Sequence, residues 1–219
     1  MVRPPARDIA RTRATIAACG WHMPVIPILA EGEPHRRSGR SVGGAQQQIV
    51  EFSDLIEQRY SVRAYAPNPV EPDKLQQVLE AARSAPSAAN KQPWQLIVIH
   101  TQGREAELRR IYNKDWFVQA PLVICVCIVR PAAWVRKYDG KEYSYVDAAI
   151  AMDHLVLAAH NQGLGTCWIA AFDPAAAREV LGLPDDVDPV IFTPLGYPAD
   201  QFRPHQRKAL VDIVRYERW

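Results

Sequence analysis

The sequence lacks the long apolar runs that membrane insertion and secretion require. None of its apolar stretches approaches the roughly 18–20 residues of a membrane span, although 48% of its 219 residues are hydrophobic. The apolar stretch at residues 23–30 contains Pro24 and Pro27, and it begins too late for a secretory signal peptide. We therefore expect a globular protein of the cytoplasm that does not insert into a membrane.

A cysteine pattern for disulfides or a metal is also missing. The 4 cysteines are Cys19, Cys125, Cys127 and Cys167, and no second pair of ligands accompanies Cys125 and Cys127 at a suitable spacing. These two lie two residues apart in an apolar run, so on a strand they share one face and act as small hydrophobic side chains. The sequence predicts no metal site, and reduced thiols fit a cytoplasmic protein.

Glycine-rich nucleotide loops and a strong charge of one sign are absent as well. No Gly-x-Gly-x-x-Gly follows a predicted strand and no Walker loop occurs, which excludes the common dinucleotide and nucleoside-triphosphate sites. The formal net charge is only +2. Residues 1–50 hold seven arginines against three acids, whereas the remainder holds nineteen basic and twenty-one acidic residues. A mildly acidic body argues against a nucleic-acid-binding face.

Composition divides the chain into two parts. Residues 1–48 contain proline, glycine, serine and arginine with little periodicity, which indicates a flexible, arginine-rich leader or arm. Three interpretations stay open: sequence upstream of the true start, an arm that wraps a partner subunit, or a basic tail that touches nucleic acid or a membrane. Residues 49–219 form one folded domain, because their length suits a single core.

Within this domain, helices and strands mix without a regular βαβ rhythm, which predicts an α+β fold with a sheet packed by helices. Helices are predicted at residues 52–60, 72–84, 105–112, 147–160 and 174–181, and strands at 96–99, 122–129, 190–195 and 210–216. Residues 166–172 read as a strand or an extended segment. The helix at 147–160 is apolar on nearly all sides, which indicates burial in a core or at a subunit interface.

The long connection at residues 130–146 alternates aromatic and charged side chains without a clean period. A connection of this length in a compact domain is often a substrate lid, and an ordinary surface loop with aromatics packed on the core is the alternative. As a lid, it would present Lys137, Tyr138, Glu142 and Tyr143 to a ligand.

A loop of small residues precedes the strand predicted at residues 96–99. It carries two amides, Asn90 and Gln92, just before Pro93 and Trp94. Small side chains let the backbone approach a planar ligand closely, and each amide offers both a donor and an acceptor. The loop therefore suits a heterocycle whose edge is recognised by hydrogen bonds, while Trp94 is expected to anchor the strand in the core.

Basic side chains occur at two places that could hold a phosphate. Arg59, Ser61 and Arg63 stand where a helix gives way to extended chain, and Arg207 lies in a second basic cluster that begins at His205. Guanidinium groups bind phosphate through two hydrogen bonds at once. Charged side chains exposed to solvent are the alternative interpretation of both clusters.

Taken together, these features resemble the nitroreductase family of FMN-dependent oxidoreductases over about residues 50–219. The resemblance rests on six markers in order: Arg59-x-Ser61-x-Arg63, the run from Ala85 to Trp94, Asp147 at the start of a buried helix, the run from Gly163 to Ile169, Leu195-Gly196-Tyr197-Pro198, and Arg207-Lys208. It implies a three-layer fold with a mixed, mainly antiparallel sheet flanked by helices. It also implies a homodimer with two FMN sites at the interface.

The resemblance assigns roles to individual residues. Arg59, Ser61 and Arg207 would hold the FMN phosphate and ribityl tail, and Arg63 would lie nearby or reach the pyrimidine edge. The remaining cofactor contacts would be Tyr60, where many members have a second arginine, Pro86 and Ser87 beneath the ring, Asn90 facing it, Gln92 as a contact or a brace, and Trp168, Ile169 and Ala170 along one face.

The activity that the resemblance implies is hydride transfer from NAD(P)H through flavin N5 to an electron-poor acceptor, such as a nitroaromatic or a quinone, in a ping-pong cycle. No catalytic side chain is assigned, because the flavin carries the chemistry. The alternatives are a reductive dehalogenase, an FMN-fragmenting enzyme and a flavin-binding regulatory module without activity.

Overall fold

The computed structural model describes residues 51–219, so the predicted arm at 1–48 and Cys19 lie outside the described residues. Within residues 51–219 the chain forms seven α-helices and four strands. In chain order these are α1 (Phe52–Gln58), α2 (Pro72–Arg83), β1 (Trp94–His100), α3 (Glu105–Ile111), α4 (Asp115–Gln119), β2 (Leu122–Val129), α5 (Ser144–Asn161), β3 (Gly165–Thr166), α6 (Pro174–Leu181), β4 (Val187–Gly196) and α7 (Leu210–Ile213).

The sheet has the strand order β1-β2-β4-β3, and every neighbouring pair is antiparallel. An isolated parallel bridge joins Ser61 to Thr166 at the β3 edge. The prediction of a mixed, mainly antiparallel sheet is therefore confirmed.

Strand β2 divides the core into two layers. Its even-numbered residues, such as Ile124 and Val126, share a buried cluster with side chains of α2 and α5. Its odd-numbered residues, Cys125 and Cys127 among them, share a second cluster with side chains of α3, α4 and α6. Successive side chains of a strand point to opposite faces, so an all-apolar strand requires cover on both sides. This arrangement confirms the α+β, three-layer fold and the shared face of the two cysteines.

Helix α5 is the central helix of one layer. Eight of its eighteen residues are buried, from Ser144 to Ala159. It begins at Ser144, three residues before the predicted start, while its apolar character agrees with the sequence prediction. Trp94, the first residue of β1, is also buried, as predicted for a residue that anchors this strand in the core.

The C-terminal prediction of a strand at residues 210–216 is wrong. Residues Leu210–Ile213 form the helical turn α7 instead, and Leu210, Val211 and Ile213 are exposed by 60–78%. A strand is stable only when a neighbour takes up its backbone hydrogen bonds, and none of the described strands pairs with this segment. Helix α4 was not predicted, because five residues are too few to show a helical period.

Candidate functional site

Residues 59–63 are attached to the edge of the sheet beside β3. Ser61 forms the parallel bridge with Thr166, and the Val62 N–H donates to the Thr166 carbonyl at 2.9 Å. The approach is so close that a Cβ added to Gly165 would lie 2.6 Å from Val62 Cγ2. Gly165 is therefore the residue that lets the predicted phosphate-binding segment lie against the sheet.

Arg59 and Arg207 line the same cavity, although 148 positions separate them in the chain. The cavity has a volume of about 600 Å³. Its other described lining residues are Phe52, Ile56, Glu57, Gln58, Asp153, Leu157, Phe202, Pro204 and His205. Two guanidinium groups and an imidazole provide donors for an anion, and two carboxylates add negative charge to the same wall. Most of the other lining side chains are apolar.

Asp200 joins residues 60–63 to the segment that carries Arg207. The Tyr60 hydroxyl donates to the Asp200 carbonyl and to its Oδ1, both at 3.0 Å, and the Arg63 N–H donates to Oδ2 at 2.7 Å. The ring of Phe202 packs edge-on against Tyr60 at 5.6 Å. Burial, the hydrogen bond to Asp200 and the charge of Asp200 raise the pKa of Tyr60 to about 12. Tyr60 is therefore a neutral donor that fastens this segment.

The side chains of Arg63 and Ser61 differ in exposure. Arg63 is exposed, and its guanidinium lies 6.0 Å from the ring centroid of Trp116 and donates to the Ser61 carbonyl at 3.4 Å. Ser61 is half-buried at the sheet edge. Neither side chain lines the large cavity in the described structure.

Arg59 also lines a smaller cavity of about 140 Å³, together with His160, Gly163 and Thr166 among others. Burial and the charge of Arg59 lower the pKa of His160 below its usual value. Both effects favour a neutral imidazole.

The loop with two amides has an unusual backbone. Ala89, Asn90 and Gln92 have φ angles of +49°, +53° and +48°, in the left-handed region that L residues other than glycine rarely adopt. The Gln92 N–H donates to Ser87 Oγ at 2.9 Å, and Gln92 Nε2 donates to Asn90 Oδ1 at 3.0 Å. Gln92 thus braces Asn90, one of its two predicted roles. Pro86 and Asn90 are exposed, and Ser87 is half-buried.

Asp147 fastens the loop from outside. Its Oδ1 accepts the Ala88 N–H at 2.8 Å, across 59 residues of sequence. The side chain is 2% exposed, and its Oδ2 is the buried side-chain atom without a hydrogen-bond partner among the described residues.

Residues 168–170 follow β3 and alternate in exposure. Trp168 is 41% exposed and Ala170 is exposed, whereas Ile169 is buried and exchanges two 2.9 Å backbone hydrogen bonds with Phe192. The pairing with β4 directs Trp168 and Ala170 to the surface.

The predicted lid is a hairpin-like turn closed by a bridge between Val135 and Glu142. Tyr143 packs edge-on against Trp134 at 5.4 Å and accepts a hydrogen bond from Arg136 at 2.5 Å. Glu142 accepts a hydrogen bond from Ser144. Tyr138 is 98% exposed near the tip. Tyr143 and Glu142 are thus occupied within the hairpin, and Tyr138 is available.

Sequence reasoning identified the residues of the large cavity only in part. Asp153 and Glu57 were missed because they belong to helices whose polar residues appear ordinary. His205 was noted as basic but was not assigned to the site. Within residues 51–219 no group of three or more His, Cys, Asp or Glu side chains could hold a metal ion, and no helix has the length and apolarity to cross a membrane.

Comparisons with known proteins agree on one family. The model described as the Nitroreductase family matches residues 56–116 and 102–197. The crystal structure of a nitroreductase family protein from Clostridium difficile 630 superposes with a TM-score of 0.69 and 35% identity, covering 78% of this chain and 100% of that one.

Two curated relatives carry the names of oxidoreductases. An FMN reductase (NAD(P)H) of Bacillus subtilis is 31% identical over 157 residues, which are 64% of this chain and 63% of the relative. An NADH dehydrogenase of Thermus thermophilus is 28% identical over 186 residues, which are 71% of this chain and 91% of the relative.

Proposed function

The chain belongs to the nitroreductase family, and on that premise we propose that it is an FMN-dependent oxidoreductase. It would pass hydride from NAD(P)H to an electron-poor acceptor such as a nitroaromatic or a quinone. The observation that carries the proposal is the cavity of about 600 Å³ onto which Arg59 and Arg207 converge. The names of the relatives, which include an FMN reductase, support the same cofactor and donor.

The residues at this cavity fit the phosphate end of FMN. Its volume lies in the range of about 300–1,000 Å³ that is usual for small-molecule sites. Arg59 and Arg207 supply paired donors of the kind that phosphate binds, and His205 adds a third group on the same wall. The carboxylates of Glu57 and Asp153 nearly balance the charge of the two arginines. Loss of one arginine would therefore leave the cavity wall unfavourable for binding an anion.

The ring of the cofactor would contact the loop of residues 86–92 and the segment of residues 168–170. Gln92 holds Asn90 Oδ1, which leaves the Asn90 Nδ2 group to donate to the ring edge. The exposed Trp168 and Ala170 flank the buried Ile169, so backbone groups of this segment are available beside one face of the ring. Arg63, Ser61, Pro86 and Ser87 complete the proposed contacts.

When bound, FMN supplies hydride transfer, so the protein needs no general acid or base of its own. The side chains bind and orient the cofactor and leave one pocket beside it. NAD(P)H and the electron acceptor would occupy this pocket in turn, which predicts ping-pong kinetics. The exposed Tyr138 of the hairpin is proposed to contact the acceptor.

We also propose that the protein is a homodimer. Helix α1 exposes Phe52 by 66% and Ile56 by 49%, and the C-terminal segment exposes Leu210 by 69% and Val211 by 78%. Exposed apolar side chains of this kind favour an interface, and Phe52 and Ile56 of α1 also line the large cavity. Analytical ultracentrifugation of the full chain should show a dimer, and a chain ending at Lys208 should dissociate more readily. A full chain that is monomeric at micromolar concentration would contradict the proposal.

A cytoplasmic location is proposed from the thiols. Cys125, Cys127 and Cys167 are all free and buried, which agrees with a reducing compartment.

The decisive experiment is reconstitution of the purified protein with FMN. Flavin absorbance should bleach anaerobically with NADH or NADPH and return with nitroaromatics or quinones. Arg59→Ala and Arg207→Ala should each weaken FMN binding by about 1–3 kcal/mol, as expected for a charge-assisted hydrogen bond. Arg83→Ala, at an exposed ion pair on α2, is the matched control and should bind normally.

Other outcomes separate the alternatives. Failure to take up FMN would refute the proposed function, and equal FMN affinity in both arginine variants would refute the phosphate assignment. Bound FMN without NAD(P)H turnover would indicate a regulatory module. Release of iodide from an iodinated phenol, or loss of the flavin spectrum in air, would indicate one of the other two branches.

A further inference from the structure

The loop of residues 87–92 holds a conformation that its own sequence does not favour. Ala89, Asn90 and Gln92 all have positive φ angles, and none of them is glycine. Such backbone persists only where surrounding contacts over-determine it, and it is commonest at ligand sites. The contacts that maintain this loop are therefore part of how it would present Asn90.

Three hydrogen bonds that involve side chains are internal to the loop. Ser87 Oγ accepts the Gln92 N–H, and Gln92 Nε2 donates to Asn90 Oδ1 at 3.0 Å and to the Asn90 carbonyl at 3.2 Å. They fix the shape of the loop. They do not fix its position relative to the rest of the protein.

The contact that fixes its position is made by Asp147. The Ala88 N–H donates to Asp147 Oδ1 at 2.8 Å, and Asp147 lies in the first turn of α5, the most deeply buried helix. The positive end of the helix dipole stabilises a carboxylate there. The backbone N–H of Asp147 donates to the Tyr143 carbonyl at 3.0 Å. This hydrogen bond orients Asp147 at the junction of the hairpin and the helix.

Stability alone gives a poor account of this carboxylate. It is 2% exposed, yet Oδ2 has no partner among the described residues. A buried acid with one of its oxygens unsatisfied is unfavourable compared with an apolar side chain of similar size. Within residues 51–219, the hydrogen bond that this carboxylate does accept comes from the strained loop.

We propose that Asp147 is the positioning residue of the cofactor loop: it holds the Ala88 backbone so that the Asn90 amide faces the flavin ring. The inference rests on the proposed function for the identity of the ring. With Asn90 Oδ1 held by Gln92, the Nδ2 group is the one presented, so the anchored loop offers a donor to an acceptor atom of the ring edge.

The test uses Asp147→Ala and Asp147→Asn in the full-length protein. Asparagine keeps an oxygen that can accept the Ala88 N–H, whereas alanine does not. Asp73→Asn is the control, because Asp73 is also an acid in the first turn of a helix but is exposed. The first readout is the rate of tryptic cleavage after Lys91 in the protein without FMN, followed by mass spectrometry. The second is FMN affinity.

Asp147→Ala should cleave after Lys91 faster than wild type and should bind FMN about tenfold more weakly, the effect of losing one hydrogen bond to a charged group. Asp147→Asn should recover most of the resistance to cleavage and most of the FMN affinity. Asp73→Asn should match wild type in both measurements. Cleavage and FMN affinity at wild-type values in Asp147→Ala would overturn the inference, as would equal loss in the two Asp147 variants. If alanine prevents folding, Asp147→Ser, which leaves a small hydroxyl, takes its place under the same criteria.

The two proposals fail in different ways. A wild-type protein that does not bind FMN overturns the proposed function and the flavin-facing part of this inference. Even then, tryptic cleavage after Lys91 decides whether Asp147 anchors the loop, because that readout requires no cofactor.

Discussion

Replacing Gly165 by alanine would place a methyl carbon 2.6 Å from Val62 Cγ2 and 3.0 Å from Val62 Cβ and Cγ1. Val62 is 2% exposed, and its N–H is bound to the Thr166 carbonyl. Neither the side chain nor the backbone can therefore move away without breaking a contact. Because the φ angle of Gly165 is not positive, alanine is tolerated by the local backbone, and the effect comes from packing.

The magnitude follows from two opposing effects. Overpacking a buried site costs about 1–3 kcal/mol, and the smaller conformational freedom of alanine in the unfolded chain returns about 0.4–1 kcal/mol. We expect a net loss of about 1–2 kcal/mol in the free energy of unfolding. For a domain of this size, that corresponds to a fall in Tm of about 2–8 °C. FMN affinity should fall as well, since residues 59–63 must shift.

Thermal unfolding by circular dichroism and an FMN titration measure both effects. Val62→Ala removes the two methyl carbons that clash, so the Gly165→Ala/Val62→Ala double variant should lose less stability than the sum of the single variants. For residues in contact this coupling is about 0.5–3 kcal/mol. A Gly165→Ala protein with the Tm and FMN affinity of wild type, or strict additivity in the double variant, would refute the reasoning.

Three further predictions concern single side chains. The pKa of Tyr60 is raised to about 12 by burial and by Asp200. The folded protein therefore retains a proton that the unfolded chain loses near pH 10, and the free energy of unfolding should fall as the pH rises from about 10 to about 12. Tyr60→Phe should flatten this part of a plot of unfolding free energy against pH. Asp173 accepts two backbone N–H groups at the start of α6, so Asp173→Ala should lower the free energy of unfolding by about 0.5–2 kcal/mol while the FMN dissociation constant stays unchanged. Arg207 is exposed, and added salt should weaken FMN binding less in Arg207→Ala than in wild type, because screening has one fewer exposed charge to act on.

Local patterns in the sequence were sufficient for most of the fold. The apolar run at residues 122–129 predicted β2 with its correct bounds, because a strand covered on both faces has no polar positions. Asp173 followed by Pro174 predicted the start of α6, since capping depends on adjacent residues only. The run of apolar residues at 147–160 likewise predicted helix α5, apart from its first three residues.

The failures occurred where a residue's neighbours come from elsewhere in the chain. The apolar residues Leu210 and Val211 predicted a strand. Within the described structure no strand lies beside them to accept their backbone hydrogen bonds, and they form a helical turn. The sequence left two roles open for Gln92, a contact or a brace. Its hydrogen bond to the Asn90 amide depends on the folded loop, in which both residues have positive φ angles.

The amino-acid sequence by itself determined the order and type of most elements, the α+β class with a sheet packed by helices, and the family to which the chain belongs. Each of these depends on periodicity, capping and short motifs, which are properties of neighbouring residues. Only the tertiary structure decided that Arg59 and Arg207 share one cavity and that Asp147 holds the Ala88 backbone. These pairs are far apart in the chain, and their proximity depends on how the sheet and α5 pack, which no local pattern records.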